Sequence, residues 1–296
     1  MRVPAIEQKL QQLQLRTRFP VEHLLAGEYR SVFKGSGMDF DEIRPYNPGD
    51  EVGAIDWNVT ARTGKPHIKR YIEERELAVW LLVDSSASCR CPHRGRTKWD
   101  VVCEIAALIV LSAVRNNDRA GLILFSDRVE QIIPPRKSRQ HALRLLDGLI
   151  DAKPQGTGTD PKPALDALAH LARRRTLVFL LSDFLYDIDR HMLGRAGFRQ
   201  DLVAIAVNHL AESHPPACGL AYVADSESGG TMLCDLSEDS RESYRLAFAA
   251  RRAALREELD AARVDFIEFD TRSDCPAGLA HFFRTRLRKT ADETGG

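Results

Sequence analysis

Residues 81–88 read LLVDSSAS, and the fold turns on how they are read. The apolar run from Ala78 to Val83 has the texture of a strand. It stops at Asp84, where the pattern Asp-x-Ser-x-Ser releases three side-chain oxygens, from Asp84, Ser86 and Ser88. A strand ending in a carboxylate and two hydroxyls can form the first arm of a divalent-cation site. The rest of the chain is weighed by whether it completes that site.

Downstream the pattern is regular. A helix is expected from about Lys98 to Arg115, apolar on nearly every face and therefore buried. Strands Ala120–Phe125 and Val129–Ile133 flank an Asp127-Arg128 turn and read as a hairpin at a sheet edge. A helix over Arg139–Ile150 follows, then the loop KPQGTGTD (153–160) and a helix over Pro161–Ala172 with Asp160 as its N-cap. Strand Thr176–Leu181 ends at Ser182-Asp183. A short helix about Ile188–Gly194 and strand Leu202–Val207 complete another step. Residues 219–236 break the alternation with two short strands around Ser228-Gly229-Gly230, an inserted hairpin. A long helix Glu238–Ala262 puts Tyr244, Phe248, Leu255 and Leu259 on one face, and strand Val264–Phe269 and helix Ala277–Arg288 close the domain. Residues 291–296 read as a disordered tail.

Strands alternating with helices imply an α/β fold with a doubly wound, mostly parallel, Rossmann-like sheet. In the order 3-2-1-4-5-6 the first strand lies beside the fourth, with a crevice at their carboxyl ends. Those ends carry Asp84 and Asp183, and the loop between them in sequence carries Thr157 and Thr159. The expected site is thus Asp84, Ser86, Ser88, Thr159 and Asp183, an all-oxygen set suited to Mg²⁺, or to Mn²⁺ or Ca²⁺. Neutral hydroxyls leave such an ion electron-poor, so it welcomes a further carboxylate from outside.

Upstream, residues 1–26 contain a short amphipathic helix, Ile6–Leu15. Residues 27–76 change to Gly, Pro, Asp and aromatics and read as a separate small β-rich module. There the alternation Ile55, Trp57, Val59 suggests extended arms and Trp57 a packing anchor. The α/β domain then spans 77–290. Lys plus Arg and Asp plus Glu balance at 42 each, which gives no reason to expect nucleic acid as partner. The longest uninterrupted apolar runs, Ile105–Leu111 and the equally long Leu77–Val83, are far short of the roughly 20 residues that span a bilayer. With six scattered cysteines and no export-signal pattern at the N-terminus, the expected location is the cytoplasm.

The constellation Asp84-x-Ser86-x-Ser88, Thr159 and Asp183, in that order, resembles the metal-ion-dependent adhesion site (MIDAS) of von Willebrand factor A domains. More specifically, the block from Tyr46-x-Pro48-Gly49-Asp50 through Ile55-Asp56-Trp57 to Ala61-Arg62 resembles the domain-of-unknown-function 58 family (DUF58). Members of that family are often paired with MoxR-type AAA+ ATPases. The resemblance implies a metal-bridged protein-interaction module, an adaptor beside such an ATPase, whose partner supplies an Asp or Glu to the metal. This chain departs from the family pattern at Gly53 and Ala54, where Arg is common, and at Cys89, where Met is common. Phe184 replaces the Gly that often follows the second Asp in adhesion-type domains.

The same residues bear on other chemistries. Cys89-x-Cys91-x-His93 hints at a soft metal but lacks the second pair of a structural zinc site. No Gly-x-Ser-x-Gly elbow surrounds Ser86, and Ser86 stands where an aspartyl-phosphate enzyme would carry a second carboxylate. The alternatives to a metal-dependent adaptor are a Mg²⁺-dependent phosphohydrolase at the same crevice and a metal-free scaffold. Ser182 and Asp160 read as turn or cap residues, and Arg173–Arg175 and Arg284–Lys289 as solvated helix ends.

Overall fold

The computed structural model describes residues 39–47, 50, 53, 55–72, 77–91 and 95–294. The expected helix Ile6–Leu15 lies outside these residues, as do 295–296. The chain divides into two compact units, with the break between them at Leu77–Ala78.

In the smaller unit, β1 (Asp39–Pro45) pairs antiparallel with β2 (His67–Ile72). Between them lies α1 (Trp57–Thr63), where extended backbone was expected. The apolar alternation at Ile55, Trp57 and Val59 is overridden by local polar chemistry. The Asp56 carboxylate accepts from the backbone N–H of Asn58 and Val59, and Gly64 closes the other end in the left-handed region at φ 68°. Only Ile55 is extended, bridging Ile68. Trp57 is 69 % exposed and is no packing anchor.

The larger unit is built on β3 (Ala78–Asp84), α2 (Lys98–Arg115), β4 (Arg119–Phe125), β5 (Val129–Arg136), α3 (Arg139–Ile150), α4 (Lys162–Leu171), β6 (Leu177–Ser182), α5 (Arg190–Arg199), β7 (Asp201–Asn208) and α6 (Leu210–Ser213). β8 (Gly219–Ala224), β9 (Thr231–Leu236), α7 (Glu238–Ala261), β10 (Asp265–Asp270) and α8 (Cys275–Thr294) complete it. The sheet order is β10-β7-β6-β3-β4-β5, parallel except for the β4–β5 hairpin. Counting this sheet's strands in chain order gives the 3-2-1-4-5-6 arrangement. The chain winds from β3 through β4 to β5 in one direction, then returns to β6 and winds outward the other way. β5 tolerates Pro134 and Pro135 because it is the edge strand.

Alternate residues of the central strands feed the two sides of the sheet. Trp80, Leu82, Val178 and Leu180 join Leu165 and Leu168 of α4, Leu193 of α5, and Leu255 and Leu259 of α7 in one continuous core. On β6, Phe179 meets Phe283 of α8 edge to face, with ring centroids 6.4 Å apart. Helix α2 buries residues on every face, as its composition foretells, and begins with a capping box between Thr97 and Asp100.

Three features differ from expectation. Helix α8 runs on to Thr294, so residues 291–294, expected to be a loose tail, continue the helix. No proline or glycine interrupts Ala280–Thr294. Helix α5 begins later than the apolar pattern suggests, because the Asp189 side chain caps the N–H groups of His191 and Met192. On α7 only the C-terminal half of the expected stripe, Leu255 and Leu259, is buried, while Tyr244 is 46 % exposed. The β8–β9 hairpin forms as expected but packs little: Leu220, Tyr222, Met232 and Leu233 are all exposed.

Candidate metal centre

The pairing register brings Val83 of β3 beside Leu181 of β6, so the next residues, Asp84 and Ser182, end adjacent parallel strands. Asp84 is fully buried, and each of its oxygens is engaged. Oδ1 accepts the Ser86 backbone N–H at 2.9 Å, and Oδ2 accepts the Ser182 hydroxyl at 2.6 Å. The Ser86 and Ser88 hydroxyls lie 3.1 Å apart. Ser85, between them and the strand, points away and donates to the Phe125 carbonyl at 2.9 Å. Asp183 follows Ser182 and is 1 % exposed. One oxygen each of Asp84 and Asp183 and the Cys89 sulfur all lie within 4.8 Å of one another.

Sequence reasoning missed the cation that sits with these acids. Lys98, the first residue of α2, is 1 % exposed. Its Nζ donates to Asp183 Oδ2 at 2.9 Å and also to Glu212 of α6. Burial works against its charge, but Asp183 and Glu212 outweigh it and hold the ammonium's pKa above the ordinary lysine value. Arg252 of α7, also buried, braces the same corner by donating to the Asp183 backbone carbonyl at 3.0 Å and to Asn208 Oδ1 at 2.5 Å.

The balance still leaves surplus negative charge. Asp84, Asp183 and Glu212 face the ammonium of Lys98 and the guanidinium of Arg252, which Glu268 also engages at 3.0 Å. Desolvation, and then the Asp183 charge, push the Asp84 carboxyl up to about 6, against the hydrogen bonds from Ser182 and Ser86 that favour its ionised form. A divalent cation would relieve this, and two carboxylates with two hydroxyls are hard donors suited to Mg²⁺ or Mn²⁺. Cys89 does not suit such an ion. Burial, then Asp84 and Asp183, push its thiol well above the usual range and keep it neutral. Of the soft-metal trio, Cys89 is buried, Cys91 is half-buried, and residue 93 lies outside the described residues.

Thr159 is placed differently from the other four expected residues. Its loop is latched to the β4–β5 turn: Glu130 accepts the N–H groups of Gln155 and Gly156, and Asp160 donates its N–H to the Ser126 carbonyl at 2.9 Å. Gly156 is tightly packed: a Cβ there would stand 2.1 Å from Ser126 Oγ and 2.9 Å from Ser126 Cβ, so a side chain would have to push Ser126 aside. Thr159 is half-buried and gives its hydroxyl not to the Asp84 group but to Glu227 in the β8–β9 turn, at 2.5 Å. Asp160 accepts from the Lys162 N–H at 2.9 Å, but the helix begins one residue later than expected, with Pro161 at the N-cap position and no side-chain cap bond there. Ser182 is more than a turn residue, since its hydroxyl joins the two strand ends through Asp84.

Phe184 explains its own departure from glycine. It adopts φ 53°, in the left-handed region, and burial of its ring against Tyr186 and Phe266 offsets the strain.

Residues 42–257 match the family described as "Protein of unknown function DUF58". The chain belongs to that family. It is 30% identical over 288 residues to the uncharacterized protein Rv1480 of Mycobacterium tuberculosis, covering 96% of this chain and 91% of that one. Among solved structures it is similar to the conserved hypothetical protein BatB from Bacteroides thetaiotaomicron, with 12% identity, 72% of this chain, 99% of that chain and a TM-score of 0.47. It is also similar to the SpRpn10 VWA domain, with 12% identity, 71% and 95% coverage, and a TM-score of 0.44. Among the described residues of this DUF58 protein, no helix is long and apolar enough to cross a membrane.

Proposed function

We propose that this DUF58 protein is a non-enzymatic, metal-dependent binding protein. Asp84, Ser86, Ser88, Thr159 and Asp183 would hold Mg²⁺ or Mn²⁺, and the ion would accept a carboxylate from a protein partner. The reading rests above all on one observation: two buried aspartates at the carboxyl ends of adjacent parallel strands, with Glu212 beside them, carry more negative charge than Lys98 and Arg252 offset. A cation at this point supplies charge compensation and an open coordination position. The protein's own residues set the rest. Ser182 and the Ser86 N–H hold Asp84 in one orientation, and Arg252 fixes the backbone after β6. On the family resemblance, the partner is a MoxR-type AAA+ ATPase or a client that it remodels, and the role is assembly or activation of other proteins.

The test is a pull-down of the ATPase encoded nearest to this gene, with wild type and Ser86→Ala/Ser88→Ala, in Mg²⁺ and in EDTA. Capture that needs both the metal and the serines supports the reading. Capture at full strength in EDTA and with the serines replaced contradicts it and favours a metal-free interface.

A further inference from the structure

Two faces of the larger unit stand out by what they leave uncovered. Apart from Ile132, the large apolar side chains exposed there lie either on α4 and α5 or on the β8–β9 hairpin and the first half of α7. Monomeric proteins seldom leave such groups clustered unless a ligand or partner covers them.

The first face is a basic groove. Between α4 and α5 lies a cleft of about 650 Å³, with buried Leu168 and Met192 in its lining. Arg195, Phe198 and Arg199 stand three and four residues apart on α5, so one helix face presents a ring that is 88 % exposed between two arginines. Neither arginine has an ion-pair or hydrogen-bond partner among the described residues. Asp166 is the one acid in the lining. Leu171 extends the apolar row one turn beyond Leu168, and Arg173, Arg174 and Arg175 follow it in exposed positions.

The second face has the opposite charge. Residues 219–240 carry Asp225, Glu227, Asp235, Glu238 and Asp239 and no lysine or arginine. Across the ladder Tyr222 pairs with Leu233 and Leu220 with Asp235, which puts all four on one side of the hairpin. The three apolar members are 53–79 % exposed. The other side holds Ala221, Cys234 and Leu236, all half-buried, so the acidic apolar side is the outward one.

We propose that the β8–β9 hairpin of one copy of this chain docks on the α4–α5 groove of a second copy. The two surfaces match in both respects, apolar against apolar and acids against unpaired arginines, and the chain itself supplies the occupant. Tyr and Arg are residue types that dominate the energy of interfaces, and complementary charge fixes which patch meets which. The contact joins two different patches and is therefore heterologous, the kind that builds rings or filaments when repeated. It needs no metal, so it stands apart from the proposed function.

The experiment is sedimentation velocity of the full chain over a concentration series, in EDTA and with reductant because Cys218 is exposed. Wild type is compared with Arg195→Glu/Arg199→Glu and with Tyr222→Ser/Leu233→Ser. Wild type is expected to self-associate, and each variant alone to do so at least about tenfold more weakly. Mixed, the two variants should pair one to one, because one keeps its hairpin and the other its groove. Circular dichroism checks that each is folded, and Phe198→Ser or Leu220→Ser replaces a double variant that is not. A wild type that stays monomeric at every concentration overturns the proposal. So does association that either variant leaves unchanged, or a mixture of two folded variants that fails to pair.

Discussion

The ends of β3 and β6 and the tip of the β8–β9 hairpin both carry acids, yet they are built in opposite ways. Asp84 and Asp183 are at most 1 % exposed and are held by Ser182, Lys98 and the Arg252 guanidinium, which donates to the Asp183 backbone carbonyl. Glu227 rides on two short strands whose side chains are almost all exposed. Burial makes the first pair electrostatically expensive and geometrically fixed. Exposure makes the second cheap to move. A metal-bridged interaction needs the rigid base that the first pair provides.

The largest effect that can break this contrast is at Lys98. Lys98→Met leaves Asp183 and Glu212 without their ammonium in a buried site, and we expect urea denaturation to show a loss of about 3–5 kcal/mol. Millimolar Mn²⁺ should restore part of it, since an ion can take over the charge compensation. A loss below 1 kcal/mol would mean that the strand-end cluster is not electrostatically strained. Next comes Phe184→Gly. Removing the left-handed strain returns about 1 kcal/mol, but losing the buried ring costs about 3–5 kcal/mol, so thermal denaturation should report a net loss of about 2–4 kcal/mol.

Asp84→Asn acts in the other direction. The folded-state pKa of Asp84 is raised from 3.8 to about 6, so below 3.8 both folded and unfolded states hold the proton and the group has no effect on stability. Between those values the unfolded state ionises first and stability falls with rising pH, by about 3 kcal/mol in full. Asn carries no such charge, and the metal-free variant should be about 1–3 kcal/mol more stable than wild type at pH 7.5, with the gap closing at pH 4. The hairpin should behave otherwise: Leu220→Ser or Tyr222→Ser is expected to change stability by no more than about 0.5 kcal/mol. A loss of several kcal/mol there would show that the hairpin is part of the rigid body, and the contrast would collapse.

What the sequence reveals divides along the same line. The winding order was legible because strands and helices alternate with clean apolar periods, and Asp84 and Asp183 were legible because each ends such a run. Lys98 was not, since a lysine opening an apolar helix reads as solvated, and its partners lie 85 and 114 residues further on. The contact of Thr159 with Glu227 is equally non-local. In the smaller unit the period misled. Ile55, Trp57 and Val59 alternate like a strand, but Asp56 caps a helix one residue later, and an Asp N-cap with a Gly C-cap eight residues on was the signal to follow.

The most direct test of the central claim is calorimetric titration of wild type and Asp84→Ala with Mn²⁺ and Mg²⁺ at pH 7.5. One-site binding in the millimolar range or tighter, lost in Asp84→Ala and kept in Leu220→Ser, is the predicted result. No heat from wild type, or equal heat from Asp84→Ala, would contradict it.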